Sequence, residues 1–161
     1  MAAQGSVIAP RDERLLVIAR LIDAPRELVF KAWTNPKHVA RWWGPDGFTN
    51  PVCEMDARPG GALRIVMRAP DGAEYPMSGV FLEVVEPERL VFTNIAEDEH
   101  GAAFIEGLTT VTFEECDGKT KLVLHTKAVG LNPKAALPLQ GMEAGWTQSL
   151  ERLDSFMAAT R

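Results

Sequence analysis

The chain has 161 residues, 46% of them apolar, so about 70% of the unfolded surface can be buried and one core can form without disulfides or metals. Seventeen Lys and Arg stand against 22 Asp and Glu, and the net charge of −5 excludes a protein whose main task is gripping a phosphate backbone, because that needs clustered cations. The longest apolar run, residues 15–19, is far short of the roughly 20 residues needed to cross a bilayer, and residues 1–10 lack the basic and apolar regions of an export signal.

Residues 1–12 carry Gly5, Pro10 and no sustained periodicity, which reads as a flexible tail ahead of a single domain over 13–161. Leu15-Leu16-Val17-Ile18 is a β-rich run ended by Asp23-Ala24-Pro25, and Pro25 suits the first position of a helix because its missing N–H would have no partner there. In that helix Val29 and Trp33 share a face, with Leu28 and Ala32 beside them. Asn35-Pro36 repeats the start signal and opens a second short helix carrying Val39, Trp42 and Trp43, which Gly44-Pro45-Asp46-Gly47 stops.

From Phe48 to Ala128 the punctuation is that of an antiparallel sheet. Turn clusters at Pro59-Gly60-Gly61, Pro70-Asp71-Gly72, Glu86-Pro87-Glu88 and Asp117-Gly118 separate six short β-branched and aromatic runs. In the run from Thr109 to Glu114, Val111 and Phe113 take one face while Thr110, Thr112 and Glu114 take the other, so one face is dry. Asn132-Pro133 starts another helical turn, which Pro138 interrupts. Met142, Trp146, Leu150, Leu153 and Met157 then recur at spacings of four, four, three and four, the stripe of a long closing helix.

This order predicts an α+β fold in which a curled seven-stranded antiparallel sheet wraps around the C-terminal helix, with two short helices after strand 1. A cavity between helix and sheet is where function would sit. Gly118-Lys119-Thr120 ends like a phosphate loop, but the required earlier glycine is Phe113, and a hairpin turn explains Asp117-Gly118 better. Glu97-Asp98-Glu99-His100 reads as a solvated acidic loop, so no metal site is expected. His38, His100 and His125 are isolated, and no serine or cysteine stands in a nucleophile-elbow context. Cys53 and Cys116 read as two reduced thiols, consistent with a cytoplasmic address.

The run Asp23-Ala24-Pro25-Arg26-Glu27-Leu28-Val29-Phe30-Lys31-Ala32-Trp33-Thr34-Asn35-Pro36, followed by Arg41-Trp42-Trp43-Gly44-Pro45, resembles the N-terminal signature of the activator of heat shock protein 90 ATPase homologue family, of the START-like (SRPBCC) superfamily. Gly79-Val80-Phe81-Leu82-Glu83-Val84, Pro87-Glu88-Arg89-Leu90-Val91-Phe92-Thr93, the run from Thr109 to Phe113, and Gly141-Met142-Glu143-Ala144-Gly145-Trp146 follow in the same order, so the resemblance spans about residues 14 to 158. It implies a helix-grip fold whose relatives bind lipids, hormones or polyketides, some transforming them. In the co-chaperone that names the family this domain follows another. Here about a dozen residues precede the first strand, so the co-chaperone role is not carried over from the resemblance.

The leading expectation is a small apolar or aromatic ligand held by Met67, Phe81, Phe92, Phe104, Val111, Met142, Trp146 and Leu150, with no cofactor and no nucleic-acid partner. An alternative is a cyclase or hydrolase in which Glu83 or His125 acts as acid or base, since a carboxylate in an apolar cavity has a raised pKa. A stress-related chaperone accessory or homodimer is the third reading.

Overall fold

The structure is a computed structural model and describes residues 12–160; the expected tail falls outside these residues except for Asp12. Strand β1 (Glu13–Ile22) alternates, with Ile18 and Ile22 buried and Leu15, Val17 and Leu21 facing solvent. Ala24 turns the chain, and Pro25, extended at φ −61° and ψ 147°, serves as N-cap of helix α1 (Arg26–Thr34), one residue ahead of the expected place. This helix buries Val29, Phe30, Ala32 and Trp33. Leu28 falls on its solvent side at 45% exposure, contrary to expectation, because the buried face is narrower than the apolar composition suggests.

Asn35 caps helix α2 (Pro36–Trp42) by accepting a 2.9 Å bond from the Lys37 N–H. Trp42, fully buried, donates its Nε1–H to the Ala32 carbonyl at 2.9 Å, which satisfies the indole and fixes α2 across the end of α1. Gly44 at φ +100° and Gly47 at φ +83° then turn the chain back toward the sheet.

Six further strands follow: β2 (Thr49–Met55), β3 (Ala62–Arg68), β4 (Glu74–Val85), β5 (Arg89–Glu97), β6 (Ala103–Cys116) and β7 (Lys119–Gly130). All pairings are antiparallel and the sheet order is β1-β7-β6-β5-β4-β3-β2, a meander closed by the first strand against the last. Asp117 (φ 53°) and Gly118 (φ 81°) both adopt positive φ in the two-residue turn that joins β6 to β7, as the hairpin reading requires. Register shifts in β2, beside Glu83 and beside Glu97 bend the sheet.

Asn132 accepts from the Lys134 N–H at 2.9 Å and starts a 3-10 turn, Pro133–Ala135. Helix α3 (Ala136–Gln140) continues from it. Pro138 does not interrupt α3, because it lies in the first turn, where its missing N–H has no intrahelical partner to lose. The final helix, α4 (Met142–Thr160), lays Leu150, Leu153 and Met157 on the concave face of the sheet against Ile22, Leu122, Leu124 and Phe113. The architecture is the α+β plan expected, with helix α4 held in the curl of seven strands.

Candidate functional site

Four tryptophans fill the middle of the space between α4 and the sheet. Trp33 stacks on Trp146 with ring centroids 6.2 Å apart at 16°, and meets Trp42 and Trp43 edge-on at 4.7 and 6.3 Å. Trp43 in turn meets Trp146 edge-on at 5.2 Å, and Trp33 touches Phe92 and Phe113. Each such pair adds about 0.5–1.5 kcal/mol beyond area burial, so this pile is rigid. It leaves open volume beneath the N-terminal half of α4.

That volume is a cleft of about 640 Å³. Trp43, Pro45 and Phe48 from the α2–β2 loop form one wall, and Met67, Tyr75, Met77 and Asn94 on β3, β4 and β5 form the floor. Met142, Gly145, Trp146 and Ser149 of α4 form the roof, with Lys134, Leu137 and Pro138 at the lip. Leu137 is 77% exposed there, an apolar side chain with no neighbour to cover it. Three methionines give the walls adaptable, polarisable surface.

Of the side chains expected to line a cavity, Met67, Met142 and Trp146 meet in this cleft. Phe81, Phe92, Val111 and Leu150 point to the concave side as alternation predicts, but they lie buried in the core outside the cleft wall. The tryptophans occupy the space in front of them. Phe104 packs elsewhere, with Ala128, Ala135 and Leu139 at the end of the sheet. Neither candidate acid–base residue reaches the cleft. Glu83 follows the bulge and pairs in solvent with Arg89 at 3.1 Å, and His125 is exposed on the convex face opposite Val17 and Thr110.

The wall formed by the α2–β2 loop is fastened to α4. Arg152 Nη1 donates to the carbonyls of Trp43, Gly44 and Pro45 at 3.1, 2.9 and 2.9 Å, and Nη2 to those of Arg41 and Phe48 at 3.3 and 3.2 Å. Ser149 Oγ accepts from the Gly44 N–H at 3.0 Å, and Gln148 Oε1 from the Asp46 N–H at 3.0 Å. Burial lowers the Arg152 pKa, and the Asp46 carboxylate opposes that shift. Arg152 thus gives each of these carbonyls a charged donor, while Asn50 Nδ2 also donates to that of Trp43 at 2.9 Å and the Phe48 N–H to that of Pro45 at 3.1 Å.

The ammonium of Lys134 at the lip is already paired. Lys134 Nζ lies 3.1 Å from Asp98 and 3.8 Å from Glu99, and its pKa is raised chiefly by the hydrogen bond to Asp98. Asp98 also accepts from the His100 and Ala102 N–H groups at 2.9 and 3.0 Å, which first of all brings its pKa down to about 2. The acidic loop is therefore a self-capped turn tied to the cleft lip. Sequence reasoning missed Met77, Tyr75 and Asn94 as lining residues, although their period-two spacing to Phe81 and Phe92 marks the concave face.

Comparison with known proteins places this geometry among others. Residues 23–158 match the family model described as Activator of Hsp90 ATPase homolog 1-like protein. A structure from Chromobacterium violaceum is similar at 29% identity and TM-score 0.78, over 88% of this chain and 94% of that one. One from Rhizobium leguminosarum is similar at 27% and 0.76, over 93% and 97%, and the AHSA1 protein of Silicibacter pomeroyi at 26% and 0.76, over 92% and 100%. No curated protein matches the chain. Among the described residues, no helix is long and apolar enough to cross a membrane.

Proposed function

The chain belongs to the Activator of Hsp90 ATPase homolog 1-like family, and from that premise we propose that it binds a small apolar or aromatic molecule in the cleft beneath the N-terminal half of α4. The observation that carries this reading is the cleft itself: about 640 Å³, bounded by Trp43, Trp146 and three methionines, beside a packed aromatic core. Folds of this kind commonly hold ligands between helix and sheet, although fold alone does not assign one. Pockets of this size and lining suit ligands whose apolar body is buried while a few polar groups fix orientation. Nothing favours the enzymatic alternative through Glu83 or His125, since both face solvent away from the cleft.

Native mass spectrometry of protein purified gently from its own cells tests the reading. An extra mass that disappears on denaturation is expected, and Trp146→Ala, which removes one wall, is expected to weaken its retention about tenfold. A bare protein mass combined with tryptophan emission that aromatic probes leave unmoved overturns the proposal.

A further inference from the structure

The cleft floor carries two polar side chains, Tyr75 and Asn94, and the sheet itself holds the second in place. Asn94 lies on β5 directly opposite Gly107 on β6, and the missing side chain there lets the Asn94 amide lie flat on the sheet. A Cβ at Gly107 would stand 2.7 Å from Asn94 Nδ2 and 3.0 Å from its Oδ1. Beside it Thr109, fully buried, donates its hydroxyl to Asn94 Oδ1 at 2.9 Å, and Thr109 and Thr126 lie 2.9 Å apart through their hydroxyls.

A hydroxyl has one proton to give. With the Thr109 proton spent on Asn94, Thr126 must be the donor to Thr109, and the array runs in one direction: Thr126 to Thr109 to Asn94 Oδ1. That direction leaves the Asn94 amino group as the free end. Among the described residues Nδ2 has no acceptor, yet it is not sealed from solvent like the buried polar atoms that lack partners, and the accessible space beside Asn94 is the cleft.

We infer that Asn94 Nδ2 is the donor that orients the ligand, and that the ligand is a neutral, largely apolar or aromatic molecule carrying a hydrogen-bond acceptor such as a carbonyl oxygen. The inference rests on the binding reading above and adds the chemistry of the occupant. The rim speaks against an anion, and the free N–H donor of the floor against a cation. The ammonium of Lys134 is engaged by Asp98 and Glu99, so among the described residues the cleft offers no unpaired cation to a carboxylate or phosphate. Ser149 is likewise spent, donating to the Gly145 carbonyl at 2.9 Å while accepting from Gly44. Buried donors aligned by fixed neighbours discriminate strongly between a ligand that offers an acceptor and one that does not, because the unmatched pair leaves a polar group without water.

The test uses the full chain and two probes of nearly one shape, acetylnaphthalene and isopropenylnaphthalene, in which a methylene replaces the carbonyl oxygen. Dissociation constants are read from tryptophan quenching for the native chain, Asn94→Leu and Asn94→Asp. Asn94→Asp keeps the acceptor for Thr109 but offers a carboxylate instead of an amino group. The ratio of the two constants is expected to favour the ketone by about three- to tenfold more in the native chain than in either variant, the size of one hydrogen bond. An unchanged ratio in both variants overturns the inference while leaving apolar binding intact. Binding of neither probe overturns the cleft reading and the inference with it. Tighter binding of naphthoate than of the ketone, abolished by Lys134→Gln, assigns the ligand a negative charge and also overturns it.

Discussion

Arg152 on the last helix and Gly44 in the α2–β2 loop, 108 residues apart, meet at 2.9 Å between guanidinium and backbone carbonyl. The same guanidinium reaches the carbonyls of residues 41, 43, 45 and 48, so it joins Ser149 and Gln148 in holding the wall of the cleft to its roof. Gly44 is itself constrained, at φ +100°, with Met67 Sδ 3.0 Å from where a Cβ would stand.

Arg152→Ala is expected to destabilise the chain by about 2–4 kcal/mol, because several carbonyls lose a charged donor and are only partly reached by water. Arg152→Lys should recover less than half of that loss, since a point-like ammonium cannot reproduce a planar fork with five N–H donors. Urea midpoints at constant slope measure both. Equal stability of the lysine variant and the native chain would show that charge alone suffices.

How much of this was legible in the sequence depends on the range of the physics involved. The Asp117-Gly118 turn and the Asn35 cap are settled by chemistry within a few residues, and both were readable. Alternation also put Phe81 and Phe92 on the concave face. Whether they would line a cavity depends on the volume of Trp33, Trp43 and Trp146, which meet there from two helices and a loop. That is a long-range packing question no local pattern answers. Arg152 gave no signal, because its partners are carbonyls and every residue has one. Asn94 left a faint trace: a polar residue in phase with Phe92 and facing a glycine across the ladder.

Acid should release the lip of the cleft. The Asp98 carboxyl has its pKa depressed from 3.8 to about 2, first by the Ala102 and His100 N–H groups and then by Lys134. A depressed folded pKa means that the ionised carboxylate stabilises the fold above the unfolded value and that this stabilisation is lost as pH falls through the folded value. The difference in Tm between the native chain and Asp98→Asn should therefore be constant above about pH 5 and shrink towards zero as pH approaches about 2. A difference independent of pH over that window would contradict the assignment.

Gly107→Ala probes the polar floor without touching the tryptophans. The added methyl collides with the Asn94 amide at 2.7 Å and displaces it from Thr109, so the array loses one hydrogen bond and Thr109 keeps only Thr126 as partner. The expected loss is about 1–2 kcal/mol, reduced somewhat by the better strand propensity of alanine. In an Asn94→Ala background the same substitution should be neutral or stabilising, since nothing remains to displace. A full double-mutant cycle by urea denaturation gives the coupling, and equal costs in both backgrounds would refute the contact.

The two thiols should react at very different rates. Cys53 is half-buried on the edge strand β2, and burial, with a smaller contribution from Glu54, pushes its pKa up from 9.0 to about 11. Two units mean about a hundredfold less thiolate near pH 8 than an unperturbed cysteine would show, before any steric protection is counted. Cys116 stands exposed beside the β6–β7 hairpin. Iodoacetamide followed by peptide mass mapping is expected to label Cys116 at least about tenfold faster than Cys53, with the gap closing in denaturant. Comparable labelling of both in the native chain would mean that β2 opens readily at the sheet edge, where among the described residues it is paired with β3 alone.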